Sequence, residues 1–232
     1  MNAIAGGGSF VTFPALVFVG VPSINANVTS TVALFPGSFA SAWAYRDEFS
    51  ATEGLSVRAL LPVSLAGGLL GALLLLFTPV RTFDAVVPWL LLLGTLAFAF
   101  GRQAGAALRR VVRLGPATLL VAQFLLSIYG GYFGGAVGLM MLAVWTLIDS
   151  SELKAMAAAR TALVSAANGA AVLCFAVAGA VRWPEMSAMM VSAIAGGYYG
   201  ARFARHLPPS VLRWFVVLLS ATVTVAFFLR RY

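Results

Sequence analysis

The sequence predicts an all-α integral membrane protein that crosses the bilayer several times. Of its 232 residues, 61% are hydrophobic and only 9% are charged, whereas soluble domains carry about 25% charged residues. The apolar residues form runs of about 20, the length that a helix needs to cross the hydrocarbon core. These runs alternate too weakly for barrel strands. The composition therefore excludes a water-soluble globular fold.

About eight hydrophobic segments follow one another along the chain, separated by polar or basic stretches. We place them at 1–20, 27–45, 59–78, 83–101, 117–148, 156–180, 185–203 and 211–229. No charged region precedes the first segment, so the pattern is not that of a signal peptide. We expect instead that this first helix is truncated, with an upstream half missing.

Two runs of small residues predict an internal repeat. The run AGGLLGA at 66–72 returns 129 positions later as AGGYYGA at 195–201, and Pro79 falls on Pro208 at the same offset. We therefore predict a first repeat at 1–101, a basic linker at 102–116 facing the cytoplasm, and a second repeat at 117–232. Glycines spaced in this way let helix backbones approach closely in lipid, so we assign both runs to packing.

The orientation of the two repeats depends on segment 117–148, which is too long for one ordinary span. Glycines at 130, 131, 134 and 135 interrupt it. The segment is either one broken crossing, which makes the repeats parallel, or a re-entrant hairpin, which makes them inverted. The hairpin puts eleven of the fifteen basic residues on one side, against nine for the crossing. The positive-inside rule therefore favours the inverted arrangement.

Glycine-rich breaks near the head of each repeat are candidate anion sites. Gly6, Gly7 and Gly8 precede Pro14 in the first half, and Gly134 and Gly135 belong to the break in the second. A half-helix that begins at such a break directs free N–H groups and the positive end of its dipole at a ligand. The alternative is that these glycines serve close packing alone.

Polar side chains form a stripe on one helix of each half. The first stripe contains Asn27, Ser30 and Thr31, and the second contains Thr161, Ser165 and Asn168. Hydroxyls and amides so placed can donate hydrogen bonds to an oxyanion, or they can hold helices together. Arg160, beside Thr161, either attracts an anion or extends to the headgroups.

The remaining ionisable residues argue against other functions. All seven acidic residues fall in loops or at segment ends, unlike the buried carboxylates of proton pumps and cation transporters. One cysteine, Cys174, and one histidine, His206, cannot form a disulfide or a Cys/His metal site within one chain, so we assign them to packing and to a solvated loop. We predict no catalytic residues, metal or other cofactor. The net charge of +8 lies mostly between segments, where it orients the protein and meets lipid rather than nucleic acid.

Several motifs together resemble the TauE/SafE family of membrane transporters. They are the opening NAIAGGGSFVTFP at 2–14, NANVTSTVAL at 25–34, GGYFGG at 130–135, Trp183-Pro184 and GGYYGAR at 196–202. The resemblance implies a secondary transporter of the bacterial inner membrane that moves sulfite, sulfoacetate or related organosulfonates by alternating access. A passive anion channel and a transporter of another small anion stay open as alternatives. The small-residue helix faces also suggest a homodimer.

Overall fold

The computed structural model describes residues 7–44, 57–108, 116–145, 153–204 and 209–231. Within these ranges the chain forms helices and no strands, which confirms the predicted all-α class. Nine helices are described: α1 Ser9–Phe18, α2 Ser23–Ala44, α3 Val57–Phe77, α4 Val80–Leu108, α5 Pro116–Tyr132, α6 Val137–Trp145, α7 Leu153–Val177, α8 Trp183–Ala204 and α9 Pro209–Arg231.

The helices agree with the predicted hydrophobic segments, apart from their ends. Every predicted segment contains one helix except 117–148, which contains α5 and α6. Helix α4 continues to Leu108, well into the predicted basic linker, because its last turns are rich in alanine, a strong helix former. Residues 109–115 of that linker, like Gly6 and His206, lie outside the described residues, and its last residue, Pro116, begins α5.

Two helical hairpins are built around short helices. Thr12 of α1 hydrogen-bonds Ser30 of α2 across the turn that joins these helices, so α1 and α2 run in opposite directions. The Nε1 of Trp145 in α6 donates to Oε1 of Gln123 in α5 at 3.2 Å. Gln123 lies nine residues before the end of α5, so α6 folds back along α5. Of the two arrangements considered for segment 117–148, the structure has the hairpin.

The short helices α1 and α6 end on opposite sides of the molecule. We call the side at which α3 passes into α4 the near end, and the opposite side the far end. The end of α1 and the start of α4 together line a cavity of about 420 Å³, with Val17 and Asp84 among its walls. Trp145, at the end of α6, packs with Leu60 and Leu119 at the starts of α3 and α5. Thus α1 runs toward the near end and α6 toward the far end.

Helix α3 is buried along a face of small residues. A Cβ on Gly68 would meet the backbone of Ala167 in α7, and a Cβ on Gly71 would meet the backbone of Ile128 in α5. The predicted packing role is therefore confirmed for this run. Gly196 in the second run differs, because a Cβ there would meet nothing within 4 Å.

Helices at equivalent places in the two predicted repeats pack against each other in antiparallel pairs. In α2 and α7, Asn25 bonds the carbonyl of Ala180, whereas Phe35, ten residues later, contacts Gly169. In α4 and α9, Trp89 contacts Phe228 at 5.3 Å between ring centroids. Further along α4, Thr95 Oγ1 lies 3.0 Å from Thr224 Oγ1. These threonines are 129 positions apart, which is the offset of the glycine runs.

The described helices also match a membrane environment. Three of them are long and apolar enough to cross a bilayer, at Ala59–Phe77, Val80–Gly101 and Ala158–Val177. On α3, Leu61, Leu65 and Leu69 are exposed at the four-residue spacing of one helix face. In lipid this face needs no protein cover, because acyl chains are as apolar as leucine.

Candidate functional site

The first turns of α1 and α6 lie next to each other in the interior. A Cβ on Gly94, midway along α4, would meet the ring of Phe10 in α1 and would lie 3.4 Å from Cβ of Ala136, which precedes α6. A Cβ on Gly135 would lie 3.1 Å from the same Phe10 ring. Because α1 and α6 then run to opposite ends, their N-termini converge and their C-termini diverge.

The start of α1 carries the positive end of a helix dipole but few free backbone donors. Gly8 is the N-cap residue, and no side chain caps the helix there. The N–H groups of Phe10 and Val11 already donate to the carbonyls of Gly7 and Gly8, at 3.2 and 3.0 Å, so the main contribution of this end is the dipole, about half a positive charge. With ten residues, α1 is about 15 Å long, half of the hydrocarbon thickness, so its start lies at membrane depth.

The break between α5 and α6 is fixed by residues of α5. The N–H groups of Phe133 and Gly134 both donate to the carbonyl of Tyr129, at 2.9 and 3.3 Å. Gly134 has φ +79° and Ala136 has φ 61°. This left-handed conformation is open to glycine but rare for alanine. The chain therefore ends α5 and starts α6 within four residues.

The polar residues of α2 face this break, although they bond to the protein itself. Asn27 Nδ2 donates to the carbonyl of Tyr132 at 2.9 Å, and Thr31 Oγ1 donates to the carbonyl of Asn27 at 2.9 Å. A Cβ on Gly134 would lie 3.8 Å from Thr31 Oγ1. The predicted stripe of the first half and the predicted break of the second half are thus brought together. Asn27 holds the last carbonyl of α5, which no helical N–H can reach.

Ser30 belongs to the start of α1 rather than to the break. Thr12 Oγ1 donates to the carbonyl of Gly8 at 3.1 Å and also bonds Ser30 Oγ. The hydroxyl pair therefore ties α2 to the first turn of α1. Together, Asn27, Ser30 and Thr31 connect one helix to both breaks.

The second stripe, on α7, lies beside the start of α6. Arg160 Nη1 donates to the carbonyl of Gly138 at 3.5 Å, and Val164 and Arg160 approach Gly138 side by side. Asn168 is one turn beyond Val164. Its Oδ1 is buried and has no hydrogen-bond partner among the described residues. Thr161 is half-buried and Ser165 is buried.

Aromatic rings fill the space between these helix starts and the near-end cavity. The ring of Phe13 lies 6.4 Å from Phe83, 5.9 Å from Phe133 and 5.5 Å from Phe227 between centroids. Phe227 also lines the near-end cavity. The four rings come from α1, α4, the break and α9 and form a packed aromatic cluster between the helix starts and the near-end cavity.

The sequence analysis did not single out three sets of polar side chains in the interior. Tyr129 bonds the carbonyl of Gly135. Gln123 bonds Ser64 and Trp145. Thr95 and Thr224 bond each other. All lie inside apolar runs without a polar stripe. Only the threonine pair could have been found from the sequence, because Thr95 and Thr224 are separated by the repeat offset of 129 positions.

The converging starts of α1 and α6 offer groups that suit a small anion. They supply two positive dipole ends and, at α6, the N–H groups that precede Leu139. Arg160 adds a full positive charge at the first turn of α6. The buried amide of Asn168 offers one more group, since rotation about χ2 presents either its oxygen or its NH₂.

Comparisons with known proteins match nearly the whole chain. A family model described as "Sulfite exporter TauE/SafE" matches residues 1–227. A probable membrane transporter protein of Haemophilus influenzae is 32% identical over 227 residues, covering 97% of this chain and 88% of the relative. The probable membrane transporter protein YfcA of Escherichia coli K12 is 28% identical over 225 residues, covering 97% and 83%. The probable membrane transporter protein ORF9 of Sinorhizobium sp is 29% identical, covering 97% and 86%. No solved structure matches the chain significantly.

Proposed function

Because the chain belongs to the TauE/SafE family of membrane transporters, we propose that it moves small sulfur-containing anions across the bacterial inner membrane by alternating access. The candidate substrates are sulfite, sulfoacetate and related organosulfonates. The protein acts as a secondary transporter and performs no catalytic step.

The convergence of the α1 and α6 starts carries this proposal. Each start contributes about half a positive charge. The start of α6, whose first helical bonds are those of Leu139 and Met140 to Ala136, also contributes the N–H groups that precede Leu139. A sulfite or sulfonate group presents three oxygens on one sulfur, so several donors aimed at one point suit it well. Such a site selects anions at membrane depth without a buried lysine or arginine at its centre.

Arg160 strengthens the field at this point. Its guanidinium reaches the carbonyl of Gly138 in the first turn of α6, so a full charge lies close to the same helix start. Charges near a site in a low-dielectric interior interact more strongly than in water. We expect Arg160 to draw the anion toward the α6 side of the site.

The aromatic cluster around Phe13 and the antiparallel pairing of helices support alternating access. The rings around Phe13 separate the site from the near-end cavity, so an anion can leave on that side only after these rings move apart. Antiparallel pairing of corresponding helices is the arrangement of inverted repeats, in which one half rocks against the other around a central site. A static pore would need no such closure.

Flux into proteoliposomes tests the proposal. We expect uptake of labelled sulfite and sulfoacetate to saturate with concentration, and unlabelled anion on the opposite side to accelerate it. Flux that does not saturate and shows no acceleration would indicate a passive anion channel. A folded preparation that moves neither anion would contradict the proposed function.

A pair of arginine variants connects flux to the site. We expect Arg160→Gln to raise the KM for the transported anion about ten-fold, because a charge near the binding point is lost. Arg182→Gln is the matched control. Its side chain is exposed before α8, so its KM should equal that of the unmodified protein. Equal KM values for both variants would exclude Arg160 from the site.

A further inference from the structure

Tyr129, near the end of α5, contacts the break between α5 and α6, where the proposed anion site lies. Its hydroxyl donates to the carbonyl of Gly135 at 2.9 Å and lies 3.4 Å from the carbonyl of Leu90 in α4. The carbonyl of Gly135 lies outside the hydrogen-bond ladder of α6, whose first bonds go from Leu139 and Met140 to Ala136. Tyr129 therefore supplies a donor that the helix does not.

The direction of this carbonyl decides what α6 presents at its start. In a trans peptide the C=O and the following N–H point in opposite directions. Fixing the Gly135 carbonyl on Tyr129 thus fixes the N–H of Ala136, one of the donors at the start of α6. If the peptide rotated, an oxygen with partial negative charge would replace that donor beside the anion.

The backbone at Ala136 shows that this orientation must be held from outside. Its φ of 61° is uncommon for a residue with a Cβ, and such conformations persist only where neighbouring groups determine them. The Tyr129 hydroxyl bonds the adjacent peptide group. It is therefore placed to supply this restraint.

We propose that Tyr129 is a positioning residue for anion binding: it keeps the Gly135 carbonyl turned away from the anion and the Ala136 N–H available to it. This inference rests on the proposed function. Tyr129 does not touch the anion; it acts through the peptide that joins Gly135 to Ala136.

Substitution by phenylalanine tests the inference because it removes the hydroxyl and keeps the ring. We expect Tyr129→Phe to raise the KM for sulfoacetate about ten-fold, the effect of one hydrogen bond to a charged group, with little change in maximal rate. Amide hydrogen exchange should increase at residues 135–139. Tyr199→Phe is the control, since Tyr199 lies on α8 with 70% of its surface exposed.

The transport and exchange measurements distinguish three outcomes. A selective rise in KM together with faster exchange at 135–139 supports the inference. Saturable transport by the unmodified protein, with the same KM in Tyr129→Phe and Tyr199→Phe, overturns it and leaves the proposed function intact. Absence of saturable transport by the unmodified protein overturns both.

A second variant applies if Tyr129→Phe does not fold. Ala136→Gly frees the same peptide to rotate, because glycine adopts many backbone conformations at this position, while Tyr129 stays in place. We expect a smaller rise in KM from it. An unchanged KM in Ala136→Gly would also overturn the inference.

Discussion

At the scale of single residues, the sequence predicted where polar groups lie but not what they bond. Asn27 and Thr31 were predicted to donate to a substrate, and the structure places both beside the break. Asn27 donates to the last carbonyl of α5, which lacks a helical partner, whereas Thr31 donates to the carbonyl of Asn27 within α2, as serine and threonine often do in helices. The Asn27 contact arises only after α5 and α2 have packed, so no pattern within α2 could reveal it.

Asn168 gives a prediction in which stability and function change in opposite directions. Its buried Oδ1 has no hydrogen-bond partner among the described residues, and an unpaired buried polar group costs about 1–3 kcal/mol. We expect Asn168→Leu, which has a similar volume, to raise the free energy of unfolding in detergent by about 1 kcal/mol. If Asn168 binds the anion, as we propose, transport should fall, because residues kept for function often lower stability.

Asn25 provides the contrasting case for the same substitution. Its Nδ2 donates to the carbonyl of Ala180 at 2.8 Å, so Asn25→Leu leaves that carbonyl without its donor. We expect this variant to be less stable than the unmodified protein by about 1 kcal/mol. If both variants lose stability equally, Asn168 is a structural residue and its assignment to the site is wrong.

At the scale of helices, hydropathy predicted the number and position of the elements well. Runs of about 20 apolar residues can satisfy their backbone in lipid only as helices, which is why the predicted segments and α2–α5 and α7–α9 coincide. The direction of α6 could not be read from hydropathy, because a broken crossing and a hairpin have the same composition. It is fixed by Gln123, which lies fully buried and bonds Trp145 of the returning helix.

Corresponding glycines in the two halves allow a matched test of helix packing. A Cβ on Gly67 would lie 2.6 Å from Cβ of Ser127 and 2.8 Å from the carbonyl of Phe124 in α5, whereas a Cβ on Gly196 would meet nothing within 4 Å. We expect Gly67→Ala to destabilise the protein by about 1–3 kcal/mol, the usual cost of overpacking. Gly196→Ala should be neutral or stabilising, because alanine favours the helix.

The measurement is the thermal unfolding midpoint of both variants in the same detergent. The decisive quantity is the difference in unfolding midpoint between two substitutions at the same position of the shared AGGxxGA pattern. A fall of equal size in both would mean that the α8 run is also packed tightly. The close approach of α3 to α5 would then not explain why α3 has glycine at these positions.

At the scale of the whole molecule, the repeat stays a prediction that the packing supports. The starts of α1 to α4 and of α6 to α9 differ by 126 to 130 positions. Contacts between the halves are reciprocal: α3 packs on α7 as α8 packs on α2, and α4 packs on α6 as α9 packs on α1. In a two-fold arrangement, equivalent residues meet only on the axis. Thr95 and Thr224, at the repeat offset, meet in this way, and we infer that the pseudo-two-fold axis passes between them.

This position of the axis predicts which cross-links stop transport. If one half rocks against the other about the axis, residues on it barely separate, while residues far from it move apart. Asn25 and Ala180 lie at the near end, since Asn25 comes two residues after Ser23, which lines the near-end cavity, whereas Thr95 is midway along α4. In a Cys174→Ala background, a short bifunctional thiol reagent joining cysteines at Asn25 and Ala180 should abolish sulfoacetate flux. The same reagent joining cysteines at Thr95 and Thr224 should leave most of the flux.

The two cross-links therefore distinguish rocking about this axis from other motions. Each double variant is its own control, because flux is measured before the reagent is added and again after the cross-link is reduced. Both pairs bridge the two halves through one hydrogen bond, at 2.8 Å for Asn25 and Ala180 and at 3.0 Å for the threonines. Equal inhibition by both cross-links would mean that α4 and α9 separate during transport. The pivot would then lie elsewhere, and the halves would not move as rigid bodies about the inferred pseudo-two-fold axis.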